Sequence, residues 1–241
     1  VTAAQGRRMS AAAADDAVEA ITDRLSGAGL LPPGASFDRD AFHALRGRVR
    51  RSFHVPQTSI TPIMARLLFA VGDAYAPHRL LVIGSYYGNT LVWLAGRALL
   101  DGRGGEYVGA DIDAAACAGA RRNFAALDGR VGVRIEERDG REVLETAADW
   151  DLLLLDADDP ATRKAVYLPL LQAALPRTVP GALVLAHDTA MPLFAEQLLG
   201  YKEAVADRDV FRACAHLPVD ECGLDVSVVG APSRNRTEEP I

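Results

Sequence analysis

The sequence predicts an α/β fold, a doubly wound and mostly parallel sheet of seven strands with an N-terminal helical cap. Three observations carry this. From Arg79 onward, short apolar runs alternate with helical patterns five times in a row, the signature of strand–helix units in a parallel sheet. The last two apolar runs follow each other with only a turn between them, which implies an antiparallel finish. Before Arg79 the periodicity is helical only.

Residues 12–27 read as a helix with Ala17, Ile21 and Leu25 on one face, ended by Gly27 and Gly29. Residues 38–51 make a second helix that carries Arg46, Arg48, Arg50 and Arg51, either a solvated face or a clamp for an anionic substrate or partner. Pro62 suits the first turn of a third helix to about residue 75. Strands follow at 80–83, 106–110, 131–136, 151–155 and 182–186, with helices at 89–100, 113–127, 140–147, 160–175 and 192–206. The closing strands are 210–216 and 224–229. The organisation expected is a cap over 1–60, a ligand-binding domain over 61–230 and a disordered polar tail over 231–241.

A net charge of −6 argues against general nucleic-acid binding, and no apolar run approaches the roughly 18–20 residues of a membrane span. Arg7 and Arg8 precede a short alanine-rich stretch broken by Asp15 and Asp16, which reads as a frayed helix start rather than a signal peptide. Cys117, Cys214 and Cys222 fit neither a disulfide framework nor a paired zinc motif, so a reducing cytoplasm is expected.

In an open parallel sheet, ligands lie beyond the carboxyl ends of the strands. Here those ends carry Gly84 to Gly88, Asp111, Asp139, Asp156, and His187 with Asp188. Each aspartate alone could be a helix cap; acids at four strand ends favour a site. Asp111 lies 23 residues after Gly88, where an acid can accept hydrogen bonds from ribose hydroxyls. The G-x-G-x-x-G fingerprint and the G-x-x-x-x-G-K-[ST] phosphate loop are both absent, which suggests a nucleoside without a pyrophosphate.

The segment Leu81-Val82-Ile83-Gly84-Ser85-Tyr86-Tyr87-Gly88-Asn89-Thr90 resembles the first motif of class I S-adenosylmethionine-dependent methyltransferases. It is most similar to the small-molecule O-methyltransferases of the catechol O-methyltransferase type. Tyr107 to Asp113, Arg138-Asp139-Gly140, Asp151 to Asp158 and Pro180 to Asp188 resemble the family's later motifs, in order. The resemblance implies a Rossmann-like methyltransferase fold and S-adenosylmethionine as cofactor. It places Gly84, Ser85, Tyr86, Gly88 and Thr90 around the methionine part, Asp111 on the ribose, Ile112 beside the adenine, Asp139 and Gly140 at the adenine end, and Asp156 near the reacting centre. Thr58, Ser59 and Ile60 fall where the family closes over the cofactor.

Three departures stand out. Val82 occupies a position where the family usually carries an acid. The metal-dependent members use Asp, Asp and Asn; the corresponding set is Asp156 with His187 and Asp188, or Asp188 and Thr189, which leaves Mg²⁺ at Asp156 and Asp188 doubtful. The family's catalytic lysine is replaced by Asp159, and Lys164, one helical turn further, is expected to fall short. His187 is the most natural base near neutral pH, with Asp156, Asp159 and Asp188 as other candidates; the alternative is that His187 only caps its strand end and packs against the cofactor rim. Tyr87 and Tyr167 are candidates for the substrate pocket, or core residues. The expected function is methyl transfer to a small-molecule oxygen in secondary metabolism, by a homodimer without nucleic-acid or membrane partners. The alternative is transfer or cyclisation of the aminocarboxypropyl group, with release of methylthioadenosine.

Overall fold

The structure, a computed structural model, describes residues 9–56, 60–127 and 131–231. The expected tail over 231–241 and the residues Thr58 and Ser59 lie outside these, except for Ala231. The described residues form one seven-stranded sheet in the order β3-β2-β1-β4-β5-β7-β6. Its strands are β1 (Arg79–Ile83), β2 (Glu106–Asp111), β3 (Val133–Glu137), β4 (Trp150–Leu155), β5 (Thr178–His187), β6 (Phe211–Leu217) and β7 (Leu224–Val229). Strands β1 to β5 pair in parallel, and β7 lies antiparallel between β5 and β6.

Strand side chains alternate between the two faces. Leu80 and Val82 of β1 and Leu152 and Leu154 of β4 face one core; Leu81, Ile83, Leu153 and Leu155 face the other. The first core is covered by α1 (Ala11–Gly27), α2 (Arg39–Ser52), α3 (Pro62–Tyr75), α4 (Leu91–Leu94), α5 (Gly96–Asp101) and α6 (Ala114–Ala126). The second is covered by α7 (Gly140–Thr146), α8 (Tyr167–Ala174) and α9 (Leu199–Ala206). An apolar run buried on both faces is what a central parallel strand requires.

Three predicted helices are shorter or divided. The helix expected over 89–100 is split at Ala95 into α4 and α5. The split lies where α3 crosses: a Cβ on Gly72 would stand 2.1 Å from the Leu94 carbonyl oxygen, and one on Gly96 2.6 Å from the Phe69 ring. The helix expected from residue 160 begins at Tyr167 instead. Ahead of it the chain folds back, with Asp159 and Arg163 exchanging backbone hydrogen bonds and Arg163 at φ +53°. The helix expected over 192–206 keeps only α9, since the residues after Pro192 make tighter three-residue turns.

The N-terminal helices share the first core with the sheet. Phe42 packs on Phe37, Phe69 and Trp93 with ring centroids 5.5–5.7 Å apart. A buried ion pair joins α1 to α3: Asp15 Oδ1 accepts from Arg66 Nε at 2.5 Å, and the Arg66 side chain is only 2% exposed. The other Asp15 oxygen meets His43 Nε2 of α2 at 2.9 Å, so one carboxylate ties three helices. Burial alone would raise the pKa of Asp15, but the hydrogen bonds from Arg66 and His43 outweigh it and hold the carboxyl below its ordinary 3.8.

Because the folded value is depressed, this contribution to stability is present above pH ~4 and is lost as pH falls through the folded value. Asp15→Ala strands the Arg66 charge, and a loss of about 3–5 kcal/mol is expected in urea unfolding; a change below ~1 kcal/mol would refute the role assigned to the pair. Gly72→Ala is expected to lower stability by about 1–3 kcal/mol through overpacking, despite the gain in helix propensity, seen as a lower urea midpoint at constant slope.

Candidate active site

The turn after β1 is built on two left-handed glycines, Gly84 and Gly88, both at φ +83°. A side chain at Gly84 would also strike the backbone of Ala157 at 2.4 Å, because the chain leaving β4 still runs against β1 here, with Asp156 N donating to the Ile83 carbonyl at 2.8 Å. The turn is fastened to β2. Gly84 N and Ser85 N donate to the Ala110 carbonyl at 2.9 and 3.0 Å, and Tyr86 N donates to Asp111 Oδ2 at 2.7 Å. Asp111 Oδ1 accepts from Asp113 N at 3.0 Å, and Asp113 caps α6.

Beyond these strand ends opens a cavity of about 530 Å³, within the range of small-molecule sites. Gly84, Ser85, Tyr86 and Thr90 line it from the first turn, and Asp111 and Ile112 from the end of β2. Ile112 is 61% exposed, an apolar side chain left open at the cavity edge. Asp139 and Gly140 line the side below β3. Asp139 caps α7 through Arg141 N at 2.8 Å and pairs with the Arg141 guanidinium, whose hydrogen bond holds its carboxyl below 3.8. Two buried hydroxyls of residues that line the cavity, Ser85 Oγ and Thr90 Oγ1, have no hydrogen-bond partner among the described residues. A buried polar atom without a partner is costly, and a bound polar ligand removes that cost.

The far side of the cavity is a cluster of charge. Asp156 ends β4, and His187 and Asp188 end β5. His187 Nδ1 lies 3.1 Å from Asp156 Oδ1 and 3.5 Å from Asp188 Oδ1. Lys164 Nζ lies 2.8 Å from Asp188 Oδ2, 3.5 Å from Asp156 Oδ1 and 3.0 Å from the Tyr167 hydroxyl. Lys164 is thus within reach, contrary to the sequence expectation. The reason is the fold-back at Asp159–Arg163: Lys164 leaves a tight turn, and its side chain runs inward, only 2% exposed. A lysine eight residues after the β4 acid was the available signal, obscured by the assumption of a regular helix.

Burial would strip the protons from these cations, but Asp156 and Asp188 outweigh it for both: His187 is raised well above 6.5 and Lys164 above 10.5. Burial pushes Asp188 up, and His187 and Lys164 together hold it below 3.8. For both cations the direction of the shift favours the protonated form. Asp159 sits at the rim with its carboxylate engaged by Thr162 and Ala161, whose hydrogen bonds keep it below 3.8.

Other expected residues fall outside the cavity lining. Tyr87 turns away, its ring against Gly119 and 4.6 Å from that of Tyr86. Tyr167 is fully buried, donates to the His187 carbonyl at 3.1 Å and supports the cluster from beneath. Gly88 lies behind the turn under the Phe124 ring. Val82 is buried in the first core. Thr189 donates to Asp225 at 2.9 Å.

The donor set does not fit Mg²⁺. That ion wants oxygens in octahedral array, whereas an ammonium already bridges Asp156 and Asp188, and the group on their other side is an imidazole. Asp111, the turn at Gly84, and Ser85 and Thr90 with their buried hydroxyls come together at this one cavity.

Residues 81–189 match the sequence model of a family described as "Methyltransferase domain". No curated protein sequence matches the chain. Among solved structures, the O-methyltransferase from Bacillus cereus, in complex with S-adenosylhomocysteine (SAH), is similar at a TM-score of 0.61 and 17% identity, covering 89% of this chain and 99% of that one. The O-methyltransferase TomG from Streptomyces achromogenes, in complex with S-adenosylmethionine, gives 0.60 and 18%, covering 90% and 99%. The SAH-bound methyltransferase PaMTH1 from Podospora anserina gives 0.61 and 18%, covering 88% and 97%. At such identities these structures show the fold, and the sequence similarity to the methyltransferase-domain family extends over residues 81–189.

Proposed function

We propose that the protein transfers the methyl group of S-adenosylmethionine to an oxygen of a small-molecule acceptor. The observation that carries this reading is that one cavity joins the glycine turn and Asp111 to the acid cluster at the ends of β4 and β5. When bound, the cofactor supplies an electrophilic methyl on a sulfonium. The chain's own part is to orient and to accept a proton.

Asp111, already fixed by two backbone N–H groups, would accept the ribose hydroxyls. Ser85 and Thr90 would give their unpartnered hydroxyls to the amino-acid end. Ile112 would cover the adenine, with Asp139 and Gly140 at its edge. At the other end the acceptor hydroxyl would meet Asp156 and Asp188. Both line the cavity as carboxylates able to take a proton, and the shifts of His187 and Lys164 favour their protonated forms. A carboxylate held low is a weak base, so proton removal would accompany methyl transfer instead of preceding it. His187 then acts by orienting Asp156 and balancing charge.

The reading extends to a biosynthetic role in secondary metabolism, a cytoplasmic setting and a homodimer. Free thiols at Cys117, Cys214 and Cys222 support the setting, and the amphipathic N-terminal helices with their arginine-rich face support a dimer surface. Among the described residues no helix is long and apolar enough to cross a membrane. Supports for the O-methyltransferase reading over other acceptors are the O-methyltransferases among the similar structures, Bacillus cereus and TomG included.

Calorimetry on the wild type is expected to show S-adenosylmethionine binding that Asp111→Ala weakens about tenfold or more, the scale of losing a charge-assisted hydrogen bond; unchanged affinity would remove Asp111 from the site. Incubation with S-adenosylmethionine and a panel of small hydroxylated acceptors is expected to release S-adenosylhomocysteine. Enzymatic formation of methylthioadenosine above the blank would instead show attack on the aminocarboxypropyl carbon and overturn methyl transfer.

A further inference from the structure

Two carboxylates converge beyond β4 and β5, and each strand delivers its acid to nearly the same point. Asp156 and Asp188 both approach Lys164 Nζ, at 3.5 and 2.8 Å. Its other hydrogen-bond contacts among the described residues are also oxygens, the Tyr167 hydroxyl at 3.0 Å and the Asp156 carbonyl at 3.5 Å, and the rings of Tyr167 and Phe194 lie 5.1 and 5.8 Å from it. Four oxygen contacts from three residues form a cage around one positive charge, and the lysine stem fills the path into it with 2% of its surface exposed. The imidazole of His187 closes the cluster on the side of both acids. A divalent ion placed between the same carboxylates would stand against the ammonium at contact distance, and it would have to displace it.

We propose that Lys164 is a tethered cation that occupies the place of a divalent metal ion, fixing Asp156 and Asp188 for the acceptor and making the site independent of added metal. In this role Lys164 is a positioning residue: it acts on the acceptor through the two carboxylates. The stem carries the charge on the chain itself, so its occupancy does not depend on a free-ion concentration. The proposal concerns the catalytic reading above but its central claim, which cation fills the cage, is independent of which carbon of the cofactor is attacked.

The test is Mn²⁺ binding by electron paramagnetic resonance, on the full chain without cofactor or acceptor. The free Mn²⁺ signal is expected to persist with the wild type. Lys164→Ala is expected to bind one Mn²⁺ at least tenfold more tightly than the wild type, and Lys164→Ala with Asp188→Asn is expected to lose that gain. A saturable wild-type site abolished by Asp188→Asn would overturn the proposal, as would a folded Lys164→Ala that binds Mn²⁺ no better than the wild type. Should Lys164→Ala fail to fold, the wild-type titration decides: saturable binding at one site refutes the proposal, and none supports it. Because no arm requires turnover, failure of methyl transfer in the activity assay is distinguishable from failure here.

Discussion

Charge brought into a protein interior must be matched where it sits, since an unpaired buried ion costs several kcal/mol. At the carboxyl ends of β4 and β5 the chain places two acids side by side, with Asp188 in a left-handed conformation at φ +62°. Much of the surrounding structure serves that arrangement. His187 and Lys164 supply the opposite charge, the Tyr167 hydroxyl accepts from the lysine and donates to the backbone of β5, and Tyr201 packs against the Tyr167 ring at 5.7 Å. The turn between β6 and β7 closes the outer side, with the Cys222 carbonyl accepting from Ala190 N at 2.7 Å. The antiparallel finish of the sheet is thus part of the site's wall.

The two ends of the cavity are prepared in different ways. At the acid cluster the two carboxylates, the Lys164 ammonium and His187 Nδ1 already have partners, while His187 Nε2 has none among the described residues. At the glycine turn two buried hydroxyls, those of Ser85 and Thr90, lack partners among the described residues, and a polar ligand there would satisfy them. Such a division suits a reaction in which one molecule is wrapped and held while the other must meet a rigid, correctly aligned surface.

The fold was readable because its central strands contain continuous apolar runs, Leu80 to Ile83 and Leu152 to Leu155 among them, and because β1, β2 and β4 lead into a glycine or an acid. Several residues expected at the cofactor end, Gly84, Ser85, Asp111 and Asp139 among them, line one cavity because they sit at strand termini, where sequence position and spatial position coincide. The charge cluster was readable only in part. Asp156, His187 and Asp188 are at strand ends, but Lys164 reaches them through a folded-back turn whose cause is local, the Asp159 carboxylate gathering the amides of Ala161 and Thr162. Helical periodicity contains no trace of that turn. Likewise a reading of His187 from its own position omits the neighbours that the fold supplies, Asp156 and Asp188, and Tyr87 and Tyr167 are aromatic residues near the right motifs whose side chains point into packing. The break at Ala95 depends on Gly72 of another helix, a contact that no window around residue 95 contains.

The turn between Asp156 and Lys164 has a bearing on how such chains diverge. A long, flexible side chain can deliver its charge to a fixed point from more than one place along a loop, so the number of residues in the loop and the location of the lysine can drift together while the electrostatics stay the same. Here the loop's length is constrained by the reach of the Lys164 side chain from its far end to Asp156 and Asp188.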